Sequence, residues 1–377
     1  MENLTLPQGT FQLTRFPDRK SKNLRAWDAA DEYLLQQIAG EEPLTAESSI
    51  VIINDSFGTL TTSLADFKPT MWSDSYLAQQ GTLENLKRNG LTEDAAELLT
   101  SLQTPKGPID LVIIKVPKNL AMLEDQLFRI RPLLHAKSRV IGAGMAKNIH
   151  TSTLKLFEKI IGSTRTSLAK KKARLIFSQP DLTLNPGETP YPSSYTLENS
   201  DLQISNHANL FSRQGLDIGT RFFLQNLPKS EAPQKIIDLG CGNGLLGLIA
   251  AQQNPAAEVT FVDESYMAVA SAESNFRATF GTDRTAEFKV TNCLNGIANE
   301  SADLILNNPP FHQQHAIGDA IALQMFNESK RVLQQGGTFW VIGNLHLAYH
   351  KELRRLFGNC REIASNKKFT ILCAKKR

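Results

Sequence analysis

Cysteine, net charge and long apolar runs are all scarce in this 377-residue sequence, and each scarcity excludes a class of protein. The four cysteines, Cys241, Cys293, Cys360 and Cys373, lie far apart without metal-ligand spacing, which favours reduced thiols over a disulfide framework or a zinc site. The formal net charge of +3 is too small to indicate a nucleic-acid-binding protein by itself. No run approaches the ~18 apolar residues of a membrane span, and the N-terminus lacks the apolar core of a signal peptide. We therefore expect a soluble, cytoplasmic protein that needs no metal.

The C-terminal half alternates strand-like and helix-like segments. Short apolar runs such as KIIDLG and ADLILNN alternate with segments of helical spacing such as LLGLIAAQQ. Alternating β and α units predict a doubly wound, mostly parallel sheet with helices on both faces. The two final strand-like segments look like a hairpin, so we expect an antiparallel edge strand.

The N-terminal half repeats this order of segments in weaker form. Five segments correspond in the same order, at slowly growing offsets. Ser75 and Asn85, for example, match Ser265 and Asn275 at one common offset. A period of this length indicates two tandem copies of a whole domain.

The stretch between the two copies, residues 179–201, is rich in Pro, Ser, Thr and Asn and is predicted to be a linker. We place the domains at residues 1–188 and 189–377. Two fused, pseudo-equivalent domains make an obligate dimer less necessary, so a monomer is expected.

A glycine-rich loop follows the first strand of the second copy. The sequence DLGCGNG begins at Asp238 and carries Gly240, Gly242 and Gly244. Glycines let the backbone turn sharply and approach a ligand, and amides at the start of the next helix favour an anionic group. The G-x-G-x-G spacing suits S-adenosylmethionine better than NAD, although both cofactors use glycine loops. A tight βα turn that binds nothing is the alternative.

Polar residues end the next two strands. Asp263 ends VTFVD, where a carboxylate can accept both ribose hydroxyls of an adenosine. A helix cap is the alternative role for Asp263, and Glu264 competes for the ribose. Asn292 ends the third strand, where an adenine edge is expected, and an ordinary turn asparagine is the alternative.

The tetrapeptide Asn308-Pro309-Pro310-Phe311 follows the fourth strand. Two consecutive prolines cannot donate to a sheet ladder, so the strand must end there. Ligands bind at the carboxyl ends of strands in open α/β sheets, which places this tetrapeptide beside the predicted cofactor. By itself, NPPF is equally consistent with a rigid turn.

In this order, DLGCGNG, FVD and NPPF resemble the class I S-adenosylmethionine-dependent methyltransferases that modify planar amino groups. The resemblance implies that the Asn308 side-chain carbonyl and the Pro309 backbone carbonyl accept the two N–H bonds of the target amino group. Pro310 stiffens the loop, Phe311 stacks on the base, and His312 contacts the base or a phosphate unless it is a packing residue. Catalysis then rests on orientation and matched hydrogen bonds, and no general base is nominated.

The wider architecture resembles the ribosomal RNA guanine-N2 methyltransferases of the RsmC and RlmG type. A degenerate domain precedes an active one, and the stretch His207–Leu224 is similar to the F-S-x-x-x-L-D-x-G-T-R segment of that family. In the family this segment packs over the cofactor, which implies that Gly219 and Thr220 donate to the methionine carboxylate. A hairpin-like cover of the core is the alternative.

This resemblance covers essentially the whole chain. It implies two tandem doubly wound, Rossmann-like methyltransferase domains, S-adenosylmethionine as cofactor, and N2 of one guanine in ribosomal RNA as the target. Chain length and the sequence NCLNG favour the large-subunit (23S) members over the small-subunit (16S) ones. A methyltransferase acting on a glutamine side chain of a protein would share NPPF and stays open as an alternative.

The N-terminal copy departs from the pattern where the chemistry needs it. Aligned with DLGCGNG, it reads INDSFGT, which keeps a single glycine out of register. Aligned with NNPPFH, it reads IKVPKN, with Lys115 in place of Asn308. We expect this copy to bind no cofactor and to serve in RNA recognition instead.

A basic run in the same copy is the candidate RNA contact. The run contains five cations and no acidic residue: Arg165, Lys170, Lys171, Lys172 and Arg174. Such a run can neutralise several phosphates. The alternatives are a solvated charge run and a domain that mainly supports the catalytic fold.

Overall fold

The computed structural model describes residues 2–17, 24–230, 232, 234–310 and 316–377. The chain divides into two compact units, Met1–Tyr191 and Pro192–Arg377. No helix in the described ranges is long and apolar enough to cross a membrane.

The first unit begins with a β-hairpin and continues as a doubly wound sheet. In chain order its elements are β1 (Glu2–Leu6), β2 (Gly9–Leu13), α1 (Ala29–Ala39), β3 (Ile50–Ile53), α2 (Thr59–Ser63), β4 (Thr70–Ser73), α3 (Tyr76–Arg88), β5 (Glu97–Thr100), β6 (Ile109–Lys115), α4 (Leu120–Ile130), β7 (Leu134–Met145), α5 (Thr151–Ile160), β8 (Thr164–Thr166) and β9 (Ala173–Ser178). The strand order of the sheet is β5-β4-β3-β6-β7-β9-β8, and β9 is antiparallel to both of its neighbours.

The second unit repeats the same plan. Its elements are β10 (Ser193–Thr196), β11 (Gln203–Asn206), α6 (Ile218–Leu224), β12 (Lys235–Leu239), α7 (Leu245–Gln253), β13 (Glu258–Asp263), α8 (Tyr266–Phe280), β14 (Ala286–Val290), β15 (Ala302–Asn307), α9 (Ala316–Val332), β16 (Leu333–Asn344), α10 (Tyr349–Phe357), β17 (Arg361–Ser365) and β18 (Phe369–Lys375). The strand order is β14-β13-β12-β15-β16-β18-β17, with β18 antiparallel to β16 and β17. Two doubly wound, mostly parallel sheets with an antiparallel edge strand confirm the predicted fold class.

Each sheet is buried on both faces, which explains its continuous apolar strands. Successive strand residues point to opposite faces, so neighbours in sequence join different cores. In the second unit, Ile236 lies in the core on one face and Ile237 in the core on the other. Ile50 and Val51 divide in the same way in the first unit.

The predicted linker contains structure that the sequence reading missed. Strand β10 lies inside the 179–201 stretch and pairs with β11 in an antiparallel hairpin. Leu197 and Ile204 of this hairpin pack against Leu245 at the start of α7. The alternation of Tyr195, Leu197 and Ile204 was an available hairpin signal, but the many Pro and Ser residues obscured it.

The glycine of the N-terminal copy is in register, contrary to the alignment made from sequence. Ile53 and Leu239 occupy equivalent strand ends, so Gly58 corresponds to Gly244. Both glycines are the N-cap of the next helix and have left-handed backbone, with φ +75° and +78°. Gly58 is retained because a Cβ there would lie 2.5 Å from Thr82 Cα.

Candidate active site

The glycine loop turns from β12 into α7 in a left-handed backbone conformation. Gly240, Gly242 and Gly244 have φ of +71°, +54° and +78°, which L side chains rarely adopt. A Cβ on Gly244 would lie 2.7 Å from Ala272 Cβ, so this glycine permits close packing of the loop on α8. A Cβ on Gly242 would meet no atom within 4 Å. Gly242 therefore faces open space in which a ligand fits.

Asp238 does not line this space, so the prediction that it contacts the cofactor directly needs correction. Its side chain is fully buried, and Oδ2 accepts the Gly247 amide at 2.8 Å, which ties β12 to α7. Burial, reinforced by the charge of Asp263, raises the pKa of the Asp238 carboxyl to about 7, while the Gly247 amide opposes the shift. Asp238 therefore supports the glycine loop from inside the core, through its bond to α7.

Asp263 ends β13 as predicted and already accepts two amides. Its Oδ2 accepts from Gly242 at 3.0 Å, and Oδ1 accepts from Ser265 at 3.0 Å. The carboxylate is half-buried, and a carboxylate oxygen can accept more than one hydrogen bond. Asp263 thus lies at the predicted strand end, and its bond to the Gly242 amide also holds the glycine loop.

Asn275 on α8 holds the glycine loop and the β10–β11 hairpin together. Its Nδ2 donates to the carbonyls of Asn243, at 2.9 Å, and of Ser205, at 3.0 Å. Its Oδ1 accepts the Ser205 amide at 2.7 Å. Asn243 also donates to Asn206 Oδ1 at 3.0 Å. We had matched Asn275 only as a repeat position, and its contacts show it to be a clamp on the loop.

Asp217 is the N-cap of α6 and accepts the amides of Gly219 and Thr220 at 2.9 and 3.2 Å. The Gly219 amide, which the sequence analysis offered to the methionine carboxylate, is thus already bonded to Asp217, whereas the assignment of the Thr220 hydroxyl to that carboxylate stays a prediction. A helix start leaves amides that need acceptors, and the Asp217 carboxylate supplies one. The Thr220 hydroxyl is not involved in the cap.

Asn308, directly after β15, lies beside Thr220. Asn308 Nδ2 donates to Thr220 Oγ1 at 3.0 Å. Asn308 Oδ1 is buried and has no hydrogen-bond partner among the described residues. A buried acceptor without a donor is unfavourable by about 1–3 kcal/mol, which makes this oxygen a candidate acceptor for a ligand N–H or O–H group.

A cavity of about 130 Å³ joins these parts. The lining residues come from the hairpin, the segment before α6, α6 itself, the glycine loop, the start of α7 and the residue after β15: Tyr195, Phe211, Ser212, Gly215, Leu216, Asp217, Thr220, Gly240, Cys241, Gly242, Asn243, Leu245, Leu246 and Asn308. Phe211 is 80% exposed although it lines a cavity, which is unusual for a large apolar side chain. Burial raises the pKa of the Cys241 thiol well above its usual range, so this cysteine is no nucleophile.

The remaining predicted positions divide into described and undescribed ones. Asn292 Oδ1 accepts from Gln324 Nε2 at 3.2 Å and is not part of the cavity lining. Pro309 is buried and Pro310 is exposed. Phe311 and His312 lie outside the described residues.

In the first unit, charged residues occupy the positions of Asn308 and Thr220. Lys115 occupies the position of Asn308, as predicted, and Asp31 occupies that of Thr220 on the equivalent helix. Lys115 Nζ lies 2.6 Å from Asp31 Oδ1 and 2.9 Å from Asp28 Oδ1. Burial lowers the pKa of Lys115, but the two carboxylates outweigh it and raise the pKa. An ion pair therefore replaces the neutral pair of the second unit.

The basic run forms a hairpin turn between β8 and β9. Lys171 and Lys172 both have left-handed backbone, with φ of +50° and +64°, at the turn. Lys170 donates to Gln36 at 2.7 Å, and Lys171 pairs with Glu32 at 2.9 Å. The three lysines are exposed, and so is Arg165, which lies over the Phe177 ring. Arg174 is half-buried, and its Nε has no partner among the described residues.

Two family descriptions match the chain. "RLMG N-terminal domain" matches residues 1–182, and "Methyltransferase small domain" matches residues 201–373. A relative from Streptomyces griseus, named ribosomal RNA large subunit methyltransferase G, is 51% identical over 100% of both chains. A relative of the same name from Aeromonas salmonicida is 51% identical over 97% of both chains.

Among solved structures, the 16S rRNA N2 methyltransferase RsmC of T. thermophilus, in complex with AdoMet and guanosine, is similar along its whole length. The TM-score is 0.77 at 20% identity, covering 100% of this chain and 98% of that one. At this identity the similarity concerns the fold.

Proposed function

The chain belongs to the family of the ribosomal RNA large subunit methyltransferases G, and we propose that it transfers a methyl group from S-adenosylmethionine to the N2 amino group of one guanine in 23S ribosomal RNA. S-adenosylmethionine dependence and methylation of large-subunit ribosomal RNA follow from family membership. The guanine N2 specificity and the roles of individual residues are the proposed part.

The observation that carries the proposal is the unpaired Asn308 Oδ1. An amino group conjugated to a ring is a poor nucleophile because its lone pair is delocalised. Two carbonyls that accept its two N–H bonds favour a more tetrahedral nitrogen with a directed lone pair. Asn308 Oδ1 supplies one such acceptor, since it is buried at the cavity and meets no donor among the residues that the structure describes. We assign the second to the Pro309 carbonyl, with Pro310 as a stiffener.

The residues present fit S-adenosylmethionine. When bound, this cofactor supplies a sulfonium methyl group. Open space over Gly242 and the lining by Gly240 leave room for it, and Asp263 stands at the end of β13, where an acidic residue can accept ribose hydroxyls. Gly244 and Asp238 support the loop, and Asn292 stays the proposed neighbour of the adenine edge.

Outside the described residues, we keep the proposals that Phe311 stacks on the base and that His312 contacts RNA. The target base must be unpaired or flipped out to reach a cavity of this kind. Recognition of the surrounding RNA then depends on loops and exposed bases.

We assign RNA recognition to the first unit. An ion pair stands at the position that Asn308 and Thr220 hold in the second unit, whereas the β8–β9 turn presents exposed lysines. Lys172 has no carboxylate partner within the described chain, and Arg165 extends the basic surface. Lys171 is compensated by Glu32, and Lys170 is bonded to a neutral glutamine. Arg174 is half-buried and contributes least. We further propose a cytoplasmic monomer that uses no metal.

The first experiment is methyl transfer from labelled S-adenosylmethionine to deproteinised 23S and 16S RNA, prepared from cells that lack this protein. Asn308→Ala is the control. We expect a single N2-methylguanosine in 23S RNA, and with the variant only a small residual rate that single-turnover labelling can still measure. Label in 16S RNA would favour the small-subunit alternative, and RNase-resistant label in protein would favour the glutamine alternative.

A further inference from the structure

We propose that Thr220 is a positioning residue, which holds the Asn308 amide with its oxygen toward the substrate. The proposal deepens the function proposed above and rests on Asn308 as an acceptor. It gives Thr220 a role different from the cofactor contact predicted from sequence.

The two ends of an asparagine amide have almost the same shape and opposite hydrogen-bonding character. If Asn308 were rotated by half a turn about its last bond, Nδ2 would meet the N–H groups of the target amino group, and donor would face donor. Packing alone cannot distinguish the two orientations. A specific acceptor for Nδ2 can, and Thr220 Oγ1 is that acceptor at 3.0 Å.

A hydroxyl can also donate, so the direction of this bond needs a second argument. The first unit provides it. The equivalent pair there is Lys115 and Asp31, 2.6 Å apart. An ammonium group only donates and a carboxylate only accepts, so the residue at the strand end donates to the helix residue in that copy. The same direction in the second unit leaves Asn308 Oδ1 without a partner among the described residues.

Helix α6 places Thr220 firmly. The Asp217 cap accepts the amides of Gly219 and Thr220, which fixes the first turn of the helix and hence the hydroxyl. The Gly219 Cα lies close to the Phe369 ring, where an added Cβ would stand 3.4 Å away. Thr220 thus stands on a rigid element, as a positioning group requires.

The test compares Thr220→Val, which removes the acceptor at nearly constant shape, with Thr220→Ser, which keeps it. Single-turnover methyl transfer gives the rate, and titration gives the cofactor Kd. We expect Thr220→Val to lower the rate roughly 10- to 100-fold. Its cofactor Kd and its melting temperature should stay near the wild-type values. Thr220→Ser should restore the rate to within about threefold of wild type.

A double-mutant cycle with Asn308→Ala shows whether Thr220 acts through Asn308. Thr220→Val should have no further effect in the Asn308→Ala background. The proposal is overturned if Thr220→Val weakens cofactor binding and leaves the bound rate unchanged, if Thr220→Ser is as slow as Thr220→Val, or if the two losses multiply.

The rates of these variants are compared for the nucleotide that the wild type methylates, whichever it is. An unexpected methylated position would therefore refute the proposed function without affecting this test. A readout independent of activity is the side-chain amide signal of Asn308 in protein labelled with ¹⁵N-asparagine, assigned with Asn308→Ala. Amide hydrogen exchange should be slow in wild type and Thr220→Ser, and faster in Thr220→Val. Equal exchange in all three would refute the proposal.

Discussion

The clamp formed by Asn275 has a structural duplicate in the first unit, which provides a matched control inside the same chain. Asn85 Nδ2 donates to the carbonyls of Phe57, at 2.7 Å, and Thr14, at 2.9 Å, and its Oδ1 accepts the Thr14 amide at 2.9 Å. Asn275 makes the same three bonds in the second unit, and both side chains are almost fully buried. Each bond contributes about 1 kcal/mol net, so replacing either asparagine with alanine should lower the free energy of unfolding by about 3 kcal/mol.

The two variants should differ in cofactor binding. Asn275→Ala releases the Asn243 carbonyl and with it the glycine loop, so we expect the cofactor Kd to rise at least about tenfold. Asn85→Ala loosens the equivalent loop of the copy that we expect to bind no cofactor, and it should leave the Kd unchanged. Urea unfolding and calorimetric titration measure the two effects separately. The reasoning is refuted if Asn275→Ala binds the cofactor as tightly as wild type, or if Asn85→Ala weakens binding equally.

Three further predictions concern the turn, the loop and the buried acid. The double replacement Lys171→Asn and Lys172→Gly removes two lysines from left-handed backbone, so the free energy of unfolding measured in urea should rise by about 1–2 kcal/mol. The KM for RNA should rise as well, because the turn loses two cations. An unchanged KM would argue against RNA contact by the turn. Gly244→Ala places a Cβ against Ala272 and should lower the free energy of unfolding by about 3 kcal/mol or more. If the variant is as stable as wild type, the loop can move to make room and the packing argument is wrong. The raised pKa of Asp238 favours the protonated acid in the folded state, so its contribution is lost as pH rises from about 4 to about 7, by about 1.4 kcal/mol per pH unit. Unfolding of Asp238→Asn followed over this range should lack that slope, and an identical slope in the variant would refute the assignment.

The fold was predictable from sequence because its strands are buried on both faces. Runs such as Ile236-Ile237 and Leu304–Leu306 must be central strands, and their alternation with helices leaves few topologies. The order of motifs also placed Gly240, Gly242 and Asn308 at one sheet edge, where the structure brings them together around one cavity.

Other parts depended on contacts that a linear reading does not reveal. The residues around Asp238 in the sequence do not show whether its carboxylate contacts a ligand or accepts the Gly247 amide. That depends on the path of the loop after β12, which only the structure gives. The Gly219 amide was assigned to the cofactor because the capping role of Asp217 was not recognised, although Asp before a helix is a common cap signal.

The ion pair between Lys115 and Asp31 makes it difficult for the first copy to regain the neutral pair that the second copy has at the same position. Asp31 is only 5% exposed, and removal of one partner from a buried pair costs about 3–5 kcal/mol. Lys115→Asn alone would strand the Asp31 carboxylate, while Asp31→Thr alone would leave Lys115 with Asp28 only. A return to the neutral pair needs both changes at once. Each single step on the way back therefore leaves a buried charge without its partner, so the ion pair separates the two copies by an energetic barrier that one substitution cannot cross.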